Sequence, residues 1–206
     1  MIDAIIFDVD GTLWDSRQVV ADAWNEALRV ERGYDPGYTR DSLTPLFGKT
    51  MTAIADCLFP DLPEEERYAL MHTCIRYEDA WLEHRSGDFY PGVKETVPLL
   101  AEQYPLYIVS NCQSGYIEQV VRYSGCGECF SGWVCFGDNG LSKGENIKRL
   151  MEENGLKEPV YVGDTQGDWE ACQQAGIPMI FAAYGLGQVE DELPAIHSFA
   201  ELNDLV

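Results

Sequence analysis

Two carboxylates sit one residue apart where an apolar run ends: Ala4-Ile5-Ile6-Phe7 leads into Asp8-Val9-Asp10-Gly11-Thr12. Alternation along an extended chain sends Asp8 and Asp10 to one side, where two such acids repel unless a cation or a shared proton stands between them. Gly11 lets the chain turn away. A second acidic pair, Asp164 and Asp168, follows another apolar run, Val160 to Val162. Hard oxygen ligands of this kind make Mg²⁺ the natural cation, because it takes one or two carboxylates together with water and a phosphate. A free carboxylate is a weak nucleophile, and a metal that orients it and neutralises a phosphoryl oxygen removes much of the repulsion between anions. Taken alone, an acidic pair at a strand end would serve equally well to cap a turn or the next helix. Two further segments add to the chemistry. Ser110-Asn111, after the run Leu106 to Val109, offers a hydroxyl, an amide and backbone N–H groups to phosphoryl oxygens, and Lys143, ahead of a helical pattern, supplies a point charge for a crowded phosphorus.

The elements that must carry these residues follow from periodicity. Ala4 to Phe7, Leu106 to Val109, Val160 to Val162 and Pro178 to Ala182 are short apolar runs ending in polar or Gly-containing stretches, as expected of strands buried on both faces. Helical patterns separate them over Ser114 to Tyr123, over Glu145 to Asn154 with Gly155 as the stop, and over Trp169 to Ala175 with Gly176 as the stop. The alternation predicts an α/β protein with a doubly wound, Rossmann-like parallel sheet, whose ligands bind beyond the C-terminal strand ends. Between Ser16 and Asp88 the pattern is helical: Val19, Val20, Ala23, Trp24, Ala27 and Leu28 make one helix face, and Pro63-Glu64-Glu65-Glu66 reads as an acidic first turn. The expected organisation is a catalytic core over 1–15 and 89–206 with an inserted α-helical cap over 16–88. Ser198-Phe199-Ala200-Glu201 has capping-box spacing ahead of a last short helix.

Composition narrows the partners. With 206 residues and a formal net charge of −21, the chain repels phosphate backbones and anionic membrane surfaces, so neither nucleic acid nor a membrane is expected. Hydrophobic residues at 46% and aromatic residues at 12% predict a folded chain. No apolar run approaches the roughly 18 residues of a membrane span, and the start MIDAIIFDVDG lacks the basic and long apolar parts of a signal peptide, so a cytoplasmic location is expected. Seven scattered Cys suit reduced thiols, and the pair Cys126 and Cys129, with no second such pair, reads as buried small hydrophobes.

In this order and spacing the segments resemble the haloacid dehalogenase superfamily: Asp8-x-Asp10-Gly11-Thr12, Ser110, Lys143 and Gly163-Asp164-Thr165-x-x-Asp168 look like its four motifs. The helical insert after the first motif is similar to the cap of the phosphoglycolate phosphatase and β-phosphoglucomutase group. The resemblance implies that Asp8 attacks phosphorus to form an aspartyl phosphate, while Asp10 protonates the leaving oxygen and later deprotonates water. It implies that Thr12 and Ser110, with Asn111, hold phosphoryl oxygens, that Lys143 bridges nucleophile and phosphate, and that Asp8, Asp164 and the Asp10 carbonyl ligate Mg²⁺. Asp168 is expected to orient a metal-bound water or Lys143 from behind. The second acid, Asp10, points to phosphate rather than halide chemistry.

The expected activity is therefore a Mg²⁺-dependent phosphatase acting on a small soluble phosphate ester. A phosphomutase using the same motifs is the first alternative, and a receiver-like signalling domain or a silent interaction module the others; the helical insert argues against a receiver. Lys49, in Phe47-Gly48-Lys49-Thr50, is the only Lys between Met1 and Lys94 and resembles the cap loop that reads the leaving group, so it is expected to contact a substrate anion. Trp24 falls on an apolar helix face and is expected to pack in the core. Arg17, Arg29 and Arg32 read as solvated, and His72 and His84 as residues of one helix without ligand spacing.

Overall fold

A computed structural model describes residues 2–206. In chain order its strands are β1 (Ile5–Phe7), β2 (Trp14–Asp15), β3 (Asp88–Phe89), β4 (Leu106–Ser110), β5 (Phe130–Cys135), β6 (Val160–Gly163), β7 (Met179–Ala182) and β8 (Ala195–Ile196). The helices are α1 (Arg17–Arg32), α2 (Arg40–Leu43), α3 (Met51–Leu58), α4 (Glu64–Leu82), α5 (Val93–Ala101), α6 (Tyr116–Ser124), α7 (Phe136–Asn139), α8 (Lys143–Asn154), α9 (Gln166–Ala175) and α10 (Leu202–Leu205).

Six strands form one sheet in the order β5-β4-β1-β6-β7-β8, and every pairing in it is parallel. β1 lies between β4 and β6, with Phe7 opposite Ile108 on one side and Val162 on the other. Ile5, Phe7 and Ile108 pack on one face with Val97 of α5 and Ile117 of α6, while Ile6, Val109 and Tyr161 pack on the other with Ile147 of α8 and Cys172 of α9. A strand covered on both faces has no polar side to show, which is why these runs are apolar without alternation. The doubly wound parallel sheet expected from the sequence is the fold observed.

β2 and β3 make a separate antiparallel ribbon, Trp14 opposite Phe89 and Asp15 opposite Asp88. Between them the chain is helical, and α1 and α4 pack around a core of their own that includes Trp24, Leu28, Ile54 and Cys74. Trp24 is buried there, as its place on the apolar face predicts.

Three elements carry no pattern that periodicity reads. β5 is half-exposed and interrupted by Ser131 and Gly132, β8 is two residues long, and α5 contains Pro98. The C-terminal spacing is used differently from a capping box: Glu201 accepts from His197 N and Ser198 Oγ, and Phe199 to Glu201 form a tight 3₁₀ turn before α10. His72 lies in α4, but that helix stops at Leu82, so His84 falls in the turn beyond it.

Candidate active site

The sheet order brings three strand ends together. Asp8 follows β1, Ser110 closes β4 and Asp164 follows β6, so the polar ends of adjacent parallel strands meet on one rim. Gly11 makes the close approach workable. Its φ is +86°, and a Cβ there would stand 2.1 Å from Asp164 Oδ2, so only glycine serves both the turn and the neighbouring carboxylate.

Lys143, at the first turn of α8, is buried between two carboxylates, with Nζ donating to Asp8 Oδ1 at 2.9 Å and to Asp168 Oδ1 at 2.5 Å. Asp168 is also the third residue of α9 in a capping box with Thr165, and its Oδ2 accepts from Asp164 N, Thr165 N and Thr165 Oγ1. Both its oxygens are thus engaged. Asp164 directs Oδ2 at the backbone N–H groups of Leu186 and Gly187, at 2.7 and 3.1 Å.

Carboxylate oxygens of Asp8, Asp164 and Asp168 lie within 4.8 Å of one another, near enough for residues 8 and 164 to share one ion. Asp8 Oδ2, Asp164 Oδ1 and Thr12 Oγ1 are buried without a hydrogen-bond partner. Burial raises the Asp8 carboxyl to about 6 against the opposing pull of Lys143, and burial, with Asp168 and Asp8 nearby, drives Asp164 well above the ordinary carboxylate range. For Lys143 burial works toward the neutral amine, yet the two aspartates outweigh it and keep it charged. A buried cluster with more acid than base and partnerless oxygens fits a hard cation.

Asp10 turns the other way. Its Oδ1 accepts from Tyr116 OH at 2.7 Å and from Ser16 Oγ at 3.1 Å, and Trp14 Nε1 donates to the same Tyr116 hydroxyl at 3.2 Å. Burial pushes the Asp10 carboxyl up to about 7, beyond what these hydrogen bonds recover. Asp8 and Asp10 nonetheless line one cavity, which also takes in Ser110, Asn111, Tyr116 and, from the helical stretch between β2 and β3, Trp24, Lys49 and Glu78. Asn111 directs its amide at the Gly48 carbonyl, 2.8 Å away, tying the β4 rim to the insert loop. Lys49 is exposed and Arg17 is engaged with Asp15 and Thr44.

Residues 5–182 match the family of haloacid dehalogenase-like hydrolases. The chain belongs to that family. This hydrolase is 28% identical over 219 residues to the phosphoglycolate phosphatase of Rhodobacter capsulatus, covering all of this chain and 97% of that one. It is 29% identical over 209 residues to the phosphoglycolate phosphatase of Aliivibrio fischeri, covering 92% of this chain and 87% of the relative. Its fold resembles that of a predicted phosphoglycolate phosphatase from Haemophilus somnus 129pt, with a TM-score of 0.82 and 24% identity over 99% of this chain and 97% of the other. Among the described residues of this hydrolase, no helix is long and apolar enough to cross a membrane.

Sequence reasoning passed over Tyr116, Gln113 and Glu78. Only Glu78 left a signal: it shares the buried stripe of Met71, Cys74 and Leu82 on α4, where an acid is out of place. Tyr116 and Gln113 follow β4 in a loop and helix start whose residue types suggest nothing.

Proposed function

We propose that this hydrolase is a phosphomonoester phosphatase working through an aspartyl phosphate on Asp8, with residues 16–88 as a lid over a core of 1–15 and 89–206. The observation that carries this reading is the partnerless Asp8 Oδ2 beside Lys143 and the equally partnerless Asp164 Oδ1. Asp8, Asp164 and the main-chain carbonyl of Asp10 would hold Mg²⁺, which supplies charge neutralisation for the phosphoryl oxygens when bound.

Asp8 Oδ2 attacks phosphorus while Lys143 holds Oδ1 in place, and the bond from phosphorus to the ester oxygen breaks. Asp10 gives its proton to the departing alkoxide. A carboxyl raised to about 7 still carries that proton near neutral pH. Asp10 then takes a proton from water, whose oxygen attacks the same phosphorus and frees Asp8 and inorganic phosphate. Thr12 Oγ1 and Ser110 contact the phosphoryl oxygens, with Asn111 fixing the rim beside them. Asp168 orients Lys143, and Lys49 meets the substrate's anionic phosphate at the mouth.

Asp8→Asn is expected to lower hydrolysis of an aryl phosphate by about 10⁴-fold or more while the circular dichroism spectrum is retained. EDTA is expected to silence the native enzyme and Mg²⁺ to restore it. Turnover by the variant near the native rate, or turnover without metal, defeats the assignment. Free phosphate rather than an isomerised ester as product separates hydrolysis from phosphomutase chemistry.

A further inference from the structure

Where the helical stretch between β2 and β3 meets the sheet rim, the cavity is lined by buried acceptors. Glu78 lines it at 1% exposure, with Trp24 Nε1 donating to Oε2 and Gln113 Nε2 donating to Oε1, both at 2.8 Å. Gln113 lines it too, and its Oε1 is buried with no hydrogen-bond partner at all. A carboxyl oxygen takes two hydrogen bonds, so Glu78, with or without its proton, retains acceptor capacity beyond what the protein supplies. The walls around this pair are apolar: Val20, Trp24, Phe47, Met51 and Ile54.

Among the described residues, Lys49 is the one cation lining this cavity, and it is exposed; the paired cations are committed elsewhere. Lys143 is held by Asp8 and Asp168, Arg17 and Arg40 by Asp15, and Lys49 stands exposed at the rim. A carboxylate or second phosphate entering this end would meet lone pairs and a buried acid, with no buried cation to offset its desolvation.

We propose that the alcohol portion of the substrate carries a hydrogen-bond donor, a hydroxyl or an ammonium, received by Glu78 and Gln113 Oε1, and that acidic leaving groups are rejected. The inference rests on the phosphatase reading of the same cleft and narrows its substrate class away from the glycolate ester in the relatives' names. A site built to accept from a donor discriminates strongly against an analogue lacking it, because its own buried groups go unpaired.

The test compares three two-carbon phosphomonoesters on the full-length enzyme with Mg²⁺: 2-hydroxyethyl phosphate, O-phosphoethanolamine and 2-phosphoglycolate, with p-nitrophenyl phosphate alongside. The expected result is a kcat/KM for one or both donor esters at least about tenfold above that for 2-phosphoglycolate. Glu78→Gln, which puts an amide with two fixed donors where the carboxyl stood at nearly constant shape, is expected to shrink that ratio by about tenfold, chiefly through KM for 2-phosphoglycolate. A preference for 2-phosphoglycolate, or an unchanged ratio in the variant, overturns the inference, while turnover of p-nitrophenyl phosphate in the same assay leaves the phosphatase reading standing. No turnover of any ester overturns both. If Glu78→Gln does not fold, the native ratio decides alone, and Gln113→Leu, expected to erode the preference for donor esters, provides the second variant.

Discussion

Asp10 is held by hydroxyls rather than by a cation, and that distinguishes it from its neighbour two residues away. Asp8 meets a buried ammonium, whereas Asp10 meets Tyr116 and Ser16, and in the proposed mechanism this steers one carboxyl toward attack and the other toward proton transfer. Tyr116 is a positioning residue in this arrangement. Tyr116→Phe keeps the ring packed edge-on against Trp14, 5.7 Å between centroids, and removes only the hydroxyl. Turnover of an alkyl phosphate is expected to fall about tenfold or more with KM retained, and turnover of p-nitrophenyl phosphate, whose leaving group needs no proton, to fall much less. Equal losses on both esters would assign Tyr116 to packing alone. The acidic pair could be read from the sequence because its members are adjacent to one apolar run. Tyr116 could not, because it reaches Asp10 from 106 residues away.

At the scale of elements, α1 and α4 hold the insert together through side chains whose helical spacing is plain in the sequence. Leu28 is wholly buried among them and is not one of the residues lining the cavity. Leu28→Ala is expected to destabilise the protein by about 2–5 kcal/mol in urea unfolding, with kcat of the folded enzyme at low temperature preserved. A loss of kcat without a loss of stability would mean that this helix face takes part in the chemistry. The strands of the sheet were equally plain where both faces are covered. β5 and β8 were not, because a half-exposed edge strand carries Ser131 and Gly132 and a two-residue strand has no period. Asp168 illustrates how one residue satisfies two elements: it closes the capping box of α9 and orients the lysine of α8.

Across the whole molecule, a net charge of −21 coexists with carboxyls buried at the junction of insert and sheet. Burial pushes Glu78 up to about 8 from an ordinary value of 4.5, against the hydrogen bonds from Gln113 and Trp24 and with added repulsion from Asp79 and Asp10. In the unfolded chain Glu78 ionises near 4.5, while the folded protein keeps its proton to about 8, so the folded state binds more protons across that window. Its contribution to stability therefore declines as pH rises from about 4.5 to 8 and levels off above. The stability of Glu78→Gln relative to the native protein is expected to rise over this range by an amount on the order of a few kcal/mol, read from urea melts at several pH values. Parallel pH profiles would show that Glu78 is ionised in the fold.

The sequence alone determined the parallel α/β core and the helices between Ser16 and Asp88, and it put Asp8, Ser110 and Asp164 beside strand ends, because covered strands and amphipathic helices leave local patterns. Tertiary structure alone decided which oxygens of Asp8 and Asp164 go without partners, that Tyr116 holds Asp10, and that Glu78 meets Gln113 in the cavity lining. Those relations join residues from separate strands and from the insert, and a sheet whose neighbours are distant in the chain brings them together without any periodicity along it.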